Sequence, residues 1–486
     1  MLLREQLVVT RENNGYLHEK GAADRMGKEQ LPADFVSRMQ ELLREESDDF
    51  FASYDMPRTQ GLRLNLLKAE RAAEPVRNIL RDFRLTPVPW CDTGYYYDEA
   101  VRPGKHPYHT AGLYYIQEPS AMSAVELLDP QPGETILDLA AAPGGKTSHI
   151  ASKMAGRGLL IANEIHPERA RILSENVERM GISNAVVTSA APDELSRRFA
   201  GCFDRIMLDA PCSGEGMFRK DPGAIEEWSP SHVELCVSRQ WDIVQDACAM
   251  LKPGGTLAYS TCTFNEDENE NMVQRILARY PELQLRGMKR LWPHRERGEG
   301  HFVAILVKNA EGESVDEQVY AKAESKRGGK SRRGDKPSAE RSALEAFKAW
   351  AEQDLPGYVL SPGAPLLFGD ELYWLPAGED WSWSEHQLSG LKILRAGLHL
   401  AHLKKNRIEP DHALAMASKP EQAARAVDLP PDSAEVSAYL RGETLSVPAD
   451  YKGWTLVTTD GLPLGWGKAS GGQLKNHLPK GLRQFK

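Results

Sequence analysis

Two cysteines stand in contexts that suit covalent chemistry. Cys212 lies in Asp209-Ala210-Pro211-Cys212-Ser213-Gly214 and Cys262 in Ser260-Thr261-Cys262-Thr263. Each follows a short apolar run, residues 204–208 and 256–259, that reads as a buried strand. A thiolate is a strong nucleophile, is partly ionised near neutral pH and can leave again, so it suits reactions that make and then break a bond to substrate. A third segment lies upstream: Ala140-Ala141-Ala142-Pro143-Gly144-Gly145-Lys146-Thr147 follows the apolar run Thr135-Ile136-Leu137-Asp138-Leu139. Strand, tight turn and helix start are all legible there. Glycines let the backbone approach a ligand, and the helix N-terminus behind them offers free amide donors. Pro143 stands where a dinucleotide fold needs close pyrophosphate approach, and only Gly144 and Gly145 precede Lys146-Thr147, so neither a dinucleotide nor a Walker loop fits.

Together the three segments resemble those of the RNA cytosine-5 methyltransferases. From about residue 30 onward the chain resembles the RsmF-type 16S ribosomal RNA enzymes. The resemblance implies S-adenosylmethionine as cofactor, held by Ala140, Ala141, Ala142, Pro143, Gly144, Gly145 and Lys146. Glu164, closing Leu159-Leu160-Ile161-Ala162-Asn163-Glu164, would take the ribose hydroxyls, and Asp209 would also border the cofactor. Cys262 matches the family nucleophile and Cys212 the second cysteine, assigned to releasing the methylated product. Cytosine C5 is a poor nucleophile until a thiolate adds to C6 and turns the ring into an enamine. Asp209 can hydrogen-bond the exocyclic amine and, if protonated, donate to ring N3, offsetting the charge that builds as sulfur adds. The target base must leave its stack to be reached.

One position departs from the family pattern. Ala191 stands where an acid usually approaches the adenine, leaving the backbone, Ser189 or a shifted Asp193 as alternatives. Lys146 is expected to pair with Asp138 or Asp209. Tyr115-Ile116-Gln117-Glu118-Pro119-Ser120 and Gly300-His301-Phe302 resemble family segments near the site, with His301 as a structural residue. Cys91, Cys202, Cys236 and Cys248 are assigned to packing.

The elements that must position these residues alternate strand and helix from Gly112 onward. Strand patterns at 135–139, 158–162, 185–188, 205–208, 256–259 and 301–307 alternate with helical patterns such as 167–180 and 233–251. This predicts an α/β, doubly wound Rossmann-like class I methyltransferase core spanning 111–309. Before it, a polar stretch at 1–25 reads as a disordered arm or an upstream start choice. An N-terminal α+β module at 26–110, which in the resembled family helps hold RNA, opens on helically spaced Phe35, Met39, Leu42, Leu43 and Phe50. After the core come a basic linker at 310–343, a first C-terminal domain at 344–427 and a PUA-like RNA-binding domain at 428–486. The last carries a hairpin pattern, Trp454 to Thr458 and Leu464 to Gly467 about an Asp460-Gly461 turn.

At 486 residues the chain has room for several cores. Its net charge of -9 argues against a protein that is basic throughout. Positive charge is instead local: residues 322–341 hold eight Lys or Arg against three Asp or Glu, and residues 465–486 hold five against none. RNA contact is therefore expected to lean on patches, with Lys468, Lys475, Lys480 and Arg483 meeting phosphates and Trp466 and His477 giving a stacking surface. Mean hydropathy is -0.48, no apolar run suits a membrane helix, and the first residues lack a signal-peptide pattern, so a cytoplasmic monomer is expected. The six cysteines are never closer than ten positions, so no paired zinc-ligand spacing exists and no metal is expected. The expected partner is 16S ribosomal RNA within the small subunit. The alternatives are transfer RNA as substrate, a non-catalytic ribosome-assembly factor, for which Cys212, Cys262 and Asp209 would have no use, and a DNA enzyme using the Pro-Cys thiol of Cys212.

Overall fold

The computed structural model describes residues 28–70, 72–310, 339–377, 388–405 and 407–484. The expected arm at 1–25 and most of the expected linker lie outside these residues. The chain up to Pro57 forms one compact unit and the chain from Arg58 onward a second. In the first unit, helices Ala33–Leu43 and Ser47–Ala52 bury Phe35, Met39 and Phe50 completely, three of the positions that recur at helical spacing.

The second unit is built around an eight-stranded sheet. Its strands are β1 (Thr135–Asp138), β2 (Leu159–Asn163), β3 (Ala185–Thr188), β4 (Phe203–Asp209), β5 (Leu251–Thr261), β6 (Leu283–Leu291), β7 (His301–Lys308) and β8 (Ile393–Ala396). In space the order is β6-β7-β5-β4-β1-β2-β3-β8. Strands β1 to β5 pair in parallel, whereas β7 is antiparallel to both β5 and β6. Every residue of β1, β2 and β3 is buried, as expected where helices cover both faces of a parallel sheet. Each fully buried Leu, Ile or Val in these strands contributes about 1.5–3 kcal/mol. The order reverses between β1 and β4, so a crevice opens above the carboxyl ends of those two strands.

Strand β8 joins the core sheet from outside the expected core. It belongs to the stretch assigned to a separate domain at 344–427, yet it pairs antiparallel with β3 through Ile393↔Thr188 and Ala396↔Val186. An uncovered β3 would leave a row of unpaired backbone groups, and β8 removes that edge. The rest of the stretch forms its own sheet from Gly363–Phe368, Glu371–Pro376, Leu398–Lys404 and Arg407–Pro410. Helix Ala339–Asp354 already begins inside the expected linker.

The N-terminal module contributes a sheet of Gly61–Leu64, Thr86–Val88, Cys91–Tyr96 and Tyr114–Ile116. Its last strand lies past the expected boundary at 110, held there by the register Leu62↔Ile116. At the C-terminus, Gly453–Thr459 and Leu462–Ser470 form the expected hairpin. Its turn residues Asp460 and Gly461 have φ of 45° and 74°, the left-handed pair an Asp-Gly turn supplies. Leu62, Tyr108 and Tyr114 pack in one cluster with Val457, Leu462 and Leu464, and Gln484 donates to the Thr110 hydroxyl at 3.1 Å, so the two ends of the second unit share a core.

That packing corrects one expectation. Trp466 is no stacking surface: it is 2 % exposed and its indole N–H donates to the Asp411 carbonyl at 2.9 Å. The neighbouring lysines lie at the surface instead. Lys468 and Lys475 are exposed cross-strand partners, Lys480 is exposed, and the half-buried Arg483 donates to the Leu478 carbonyl. Half-buried His477 packs edge-on against Trp454. Among the described residues no helix is long and apolar enough to cross a membrane.

Candidate active site

The two cysteine loops meet because their strands are neighbours in parallel register. Asp209 at the end of β4 pairs with Ser260 near the end of β5, so chains leaving both strands run side by side. Cys212 Sγ lies 3.4 Å from Cys262 Sγ, and both thiols are partly exposed. The Gly216 N–H donates to the Cys262 carbonyl at 2.8 Å. A Cβ on Gly216 would sit 2.8 Å from that oxygen, so only glycine allows the approach.

Glu268 ties the two loops together from behind. It is fully buried and accepts from the Ser213 N–H at 2.8 Å, from the Ser213 hydroxyl and from Gln240 Nε2 at 2.9 Å. The Ser213 hydroxyl in turn meets the Thr263 hydroxyl at 2.8 Å, which links the residues following each cysteine. Burial, opposed by these hydrogen bonds, pushes the Glu268 carboxyl up to about 6. Glu268→Ala would strand three donors, at about 1–3 kcal/mol each. Its expected result is a lowered melting temperature together with a roughly 100-fold loss of methyl transfer, the effect of a displacement on the order of 1 Å. Glu268→Gln, able to keep part of the network, should lose much less in both assays.

Asp209 resolves the pairing of Lys146. The Lys146 ammonium meets Asp209 Oδ2 at 2.7 Å, the Ser260 hydroxyl donates to Oδ1 at 2.8 Å, and His301 Nε2 lies 3.9 Å from Oδ1. Burial alone would raise the Asp209 carboxyl, but the Lys146 ammonium and the Ser260 hydrogen bond outweigh it and hold the carboxyl below the ordinary aspartate range. Asp209 is therefore placed as an acceptor from Lys146 and Ser260. Asp138 takes the Thr147 hydroxyl at 2.6 Å instead of Lys146. Burial raises Asp138 to about 7. Cys212 is raised well above the usual thiol value, first by its hydrogen bond with Cys262 and then by burial, so it remains a thiol in contact with the Cys262 sulfur, where either sulfur can donate. Burial lowers His301 to about 3, and its Nε2, enclosed and without a hydrogen-bond partner, is a neutral acceptor or donor beside Asp209. His301, assigned a structural role from its type alone, thus borders the candidate catalytic acid.

The glycine-rich loop lies in the crevice. Gly144 has φ +110° and caps helix Gly145–Met154; a Cβ there would press on Leu173 and Asn176 at 3.3 and 3.4 Å. The loop is fixed from outside by Arg169 Nη2 donating to the Ala142 carbonyl at 3.0 Å and Asn176 Nδ2 to the Pro143 carbonyl at 2.9 Å. Asn163 staples three strand ends, donating to the Leu139 and Ala190 carbonyls and accepting from the Thr188 hydroxyl and the Ala190 N–H. Glu164 follows it, 3 % exposed, accepting from the His166 N–H at 3.0 Å. Asp138 Oδ1 is buried without a partner beneath the loop. Free helix amides, an unsatisfied carboxylate oxygen and a buried acid one strand away fit the amino acid and ribose ends of S-adenosylmethionine. At the adenine end, Asp193 turns away to pair with Arg197 at 2.7 Å, and the Ser189 N–H is taken by the Lys392 carbonyl at 2.8 Å. No acid replaces Ala191 there among the described residues.

Arg63 belongs to the site, although alternation alone marked it merely as a strand residue. Fully buried, it donates to Gln117 Oε1 at 3.1 Å, the Gly145 carbonyl at 3.2 Å and the Ser148 hydroxyl at 2.8 Å, which docks the N-terminal sheet on the loop's helix. The remaining cysteines are buried. Burial lifts Cys91 and Cys248 to about 12 and Cys236 to about 11, which suits packing rather than attack.

A Rossmann-like core with a glycine-rich loop over β1, an acid ending β2 and paired thiols beyond β4 and β5 defines an S-adenosylmethionine-dependent RNA methyltransferase. Residues 125–307 match the family model of the 16S rRNA methyltransferase RsmB/F. Residues 31–119 match the RsmF N-terminal domain, 349–417 its first C-terminal domain and 426–484 its PUA domain. The chain is 33 % identical over 462 residues to ribosomal RNA small subunit methyltransferase F of Shewanella loihica, covering 90 % of this chain and 91 % of the relative. The enzyme of the same name from Aliivibrio fischeri is 32 % identical, with 93 % and 97 % covered. A methyltransferase homolog from Pyrococcus horikoshii superposes with a TM-score of 0.52 at 28 % identity, covering 58 % of this chain and 100 % of its own. NSun6 from the same organism, solved with SFG, gives a TM-score of 0.51 at 20 % identity over 58 % of this chain and 99 % of its own, a likeness of fold. The chain belongs to the RsmF family of 16S ribosomal RNA methyltransferases.

Proposed function

We propose that this enzyme methylates C5 of cytosine in 16S ribosomal RNA through a covalent bond between Cys262 and C6. The observation that carries the proposal is the 3.4 Å approach of two partly exposed thiols beside an ionised aspartate at the carboxyl end of a class I core. Ala140, Ala141, Ala142, Pro143, Gly144, Gly145 and Lys146, with Glu164 and Asp209, hold S-adenosylmethionine, which supplies an electrophilic methyl group. The Cys262 thiolate adds to C6, and the C5–C6 electron pair makes C5 nucleophilic. Cys212 first steadies that thiolate with its S–H, loses that proton to solvent once the Cys262 sulfur is bonded to C6, and as a thiolate takes the C5 proton while the sulfur–C6 bond breaks, the Cys262 thiolate leaves and the ring double bond returns. Asp209, an anion fixed by Lys146 and Ser260, accepts from the exocyclic amine and selects cytosine. The substrate is the RNA of the small subunit, met in the cytoplasm by a monomer. Bisulfite sequencing of 16S ribosomal RNA from cells with and without the gene tests the reading: a protected cytosine should become convertible in the deletion strain, and an unchanged pattern would refute it.

The PUA-like end supports RNA binding through Lys468, Lys475 and Lys480. Replacing all three with glutamine should reduce the salt dependence of RNA binding by roughly two to three units, at about 0.7–0.9 per phosphate contact, and leave cofactor affinity unchanged. Titrations at several salt concentrations measure this, and an unchanged slope would remove the patch from the interface.

A further inference from the structure

We propose that His399, His402 and Asp411 form a site for a zinc-type divalent metal ion, remote from the paired thiols. Three residues apart on strand Leu398–Lys404, the two histidines would ordinarily face opposite sides of the sheet. A bulge prevents this. Against strand Glu371–Pro376 the register runs Tyr373↔His399 and then Leu372↔Ala401, so Leu400 is an extra residue and His402 returns to the face of His399.

Asp411 reaches the same point from the end of the next strand. Its Oδ1 accepts from the Ala413 N–H at 2.8 Å, which aims Oδ2 at the imidazoles, an orientation that carboxylate ligands commonly receive from an outer hydrogen bond. His399 Nδ1 lies 3.2 Å and His402 Nε2 3.3 Å from Oδ2, and the three ligand atoms all lie within 4.8 Å of one another. Those separations exceed the 2.7–2.9 Å common in charge-assisted hydrogen bonds. They match the edge of about 3.3 Å that a tetrahedron with metal–nitrogen bonds of roughly 2.0–2.1 Å requires.

The ring of Tyr373 stacks on His399 with centroids 4.3 Å apart and fixes its plane. His402 is about one-third exposed, giving an ion an entry path, and Glu371 Oε1 lies 3.9 Å from His402 Nδ1 as a further acceptor at the rim. Two imidazoles and one carboxylate leave the fourth position of a zinc ion to water. The strand carrying both histidines follows β8 directly, so the ion would brace the segment that closes the core sheet.

The test uses untagged full-length protein stripped with EDTA and titrated with Zn²⁺ by calorimetry, with Co²⁺ as an absorbing probe. One Zn²⁺ should bind, and Co²⁺ should give visible tetrahedral bands without sulfur charge-transfer absorption. His402→Ala should weaken Zn²⁺ by more than the roughly 10–100-fold that losing an outer partner costs, and should leave methyl transfer unchanged. Binding should also weaken on acidification, as protons compete for the imidazoles. The metal-free melting temperature of the variant reports whether the fold survives, and His402→Gln repeats the test if it does not. Absent Zn²⁺ binding, binding unaffected by either variant, or sulfur charge transfer placing the ion on the cysteines would overturn the site.

Discussion

Cys262→Ala is expected to eliminate methyl transfer, by on the order of 10⁴-fold or more, the scale seen when a covalent nucleophile is removed. The reason is local. Cytosine C5 gains nucleophilicity only through addition at C6, and Cys212, the neighbouring thiol, is kept protonated. Cofactor and RNA affinity should stay near wild type, because the loop at 140–146 and Glu164 lie on other strands and the exposed lysines at the far end of the chain. Single-turnover assays with labelled cofactor measure the first quantity and equilibrium titrations the second. Activity within about tenfold of wild type would remove Cys262 from the nucleophilic role.

Cys212→Ala should fail differently. With Cys262 intact, attack and methylation proceed, but elimination slows, so a protein-RNA adduct accumulates while multiple turnover falls by on the order of 10²–10⁴-fold, the usual worth of a positioned proton-transfer group. The 3.4 Å separation motivates this: the second thiol reaches the reacting sulfur and is itself kept protonated by that hydrogen bond and by burial. A Cys212→Ala enzyme that turns over rapidly and shows no slow-migrating band would dismiss the assignment.

What the sequence made legible was local. The strand ends carrying Asp209 and Ser260, the loop at Gly144 and the Asp460-Gly461 hairpin each announce themselves within a few residues, because backbone conformation and burial leave short-range patterns. What it hid depends on distant pairing. Glu268 joins Ser213 across 55 positions and Arg63 joins Ser148 across 85, and nothing in the immediate neighbourhood of either residue marks it. Strand β8 has only four residues and no parallel partner, so its place beside β3 follows from the need to cover an edge. Trp466 read as a surface aromatic because its stretch is basic, whereas packing against Phe347, Leu398 and Leu414 from an earlier part of the chain buries it. The histidine cluster leaves no spacing signature because a bulge, not sequence interval, brings His399 and His402 to one face.

The most direct test of the covalent mechanism is mass-spectrometric mapping of the RNA-linked peptide from Cys212→Ala enzyme incubated with cofactor and 16S ribosomal RNA. The account predicts a methylated cytosine nucleotide attached through Cys262, and no such peptide from the Cys262→Ala enzyme. A nucleotide attached to another residue, or rapid methylation with no linked peptide at all, would contradict it.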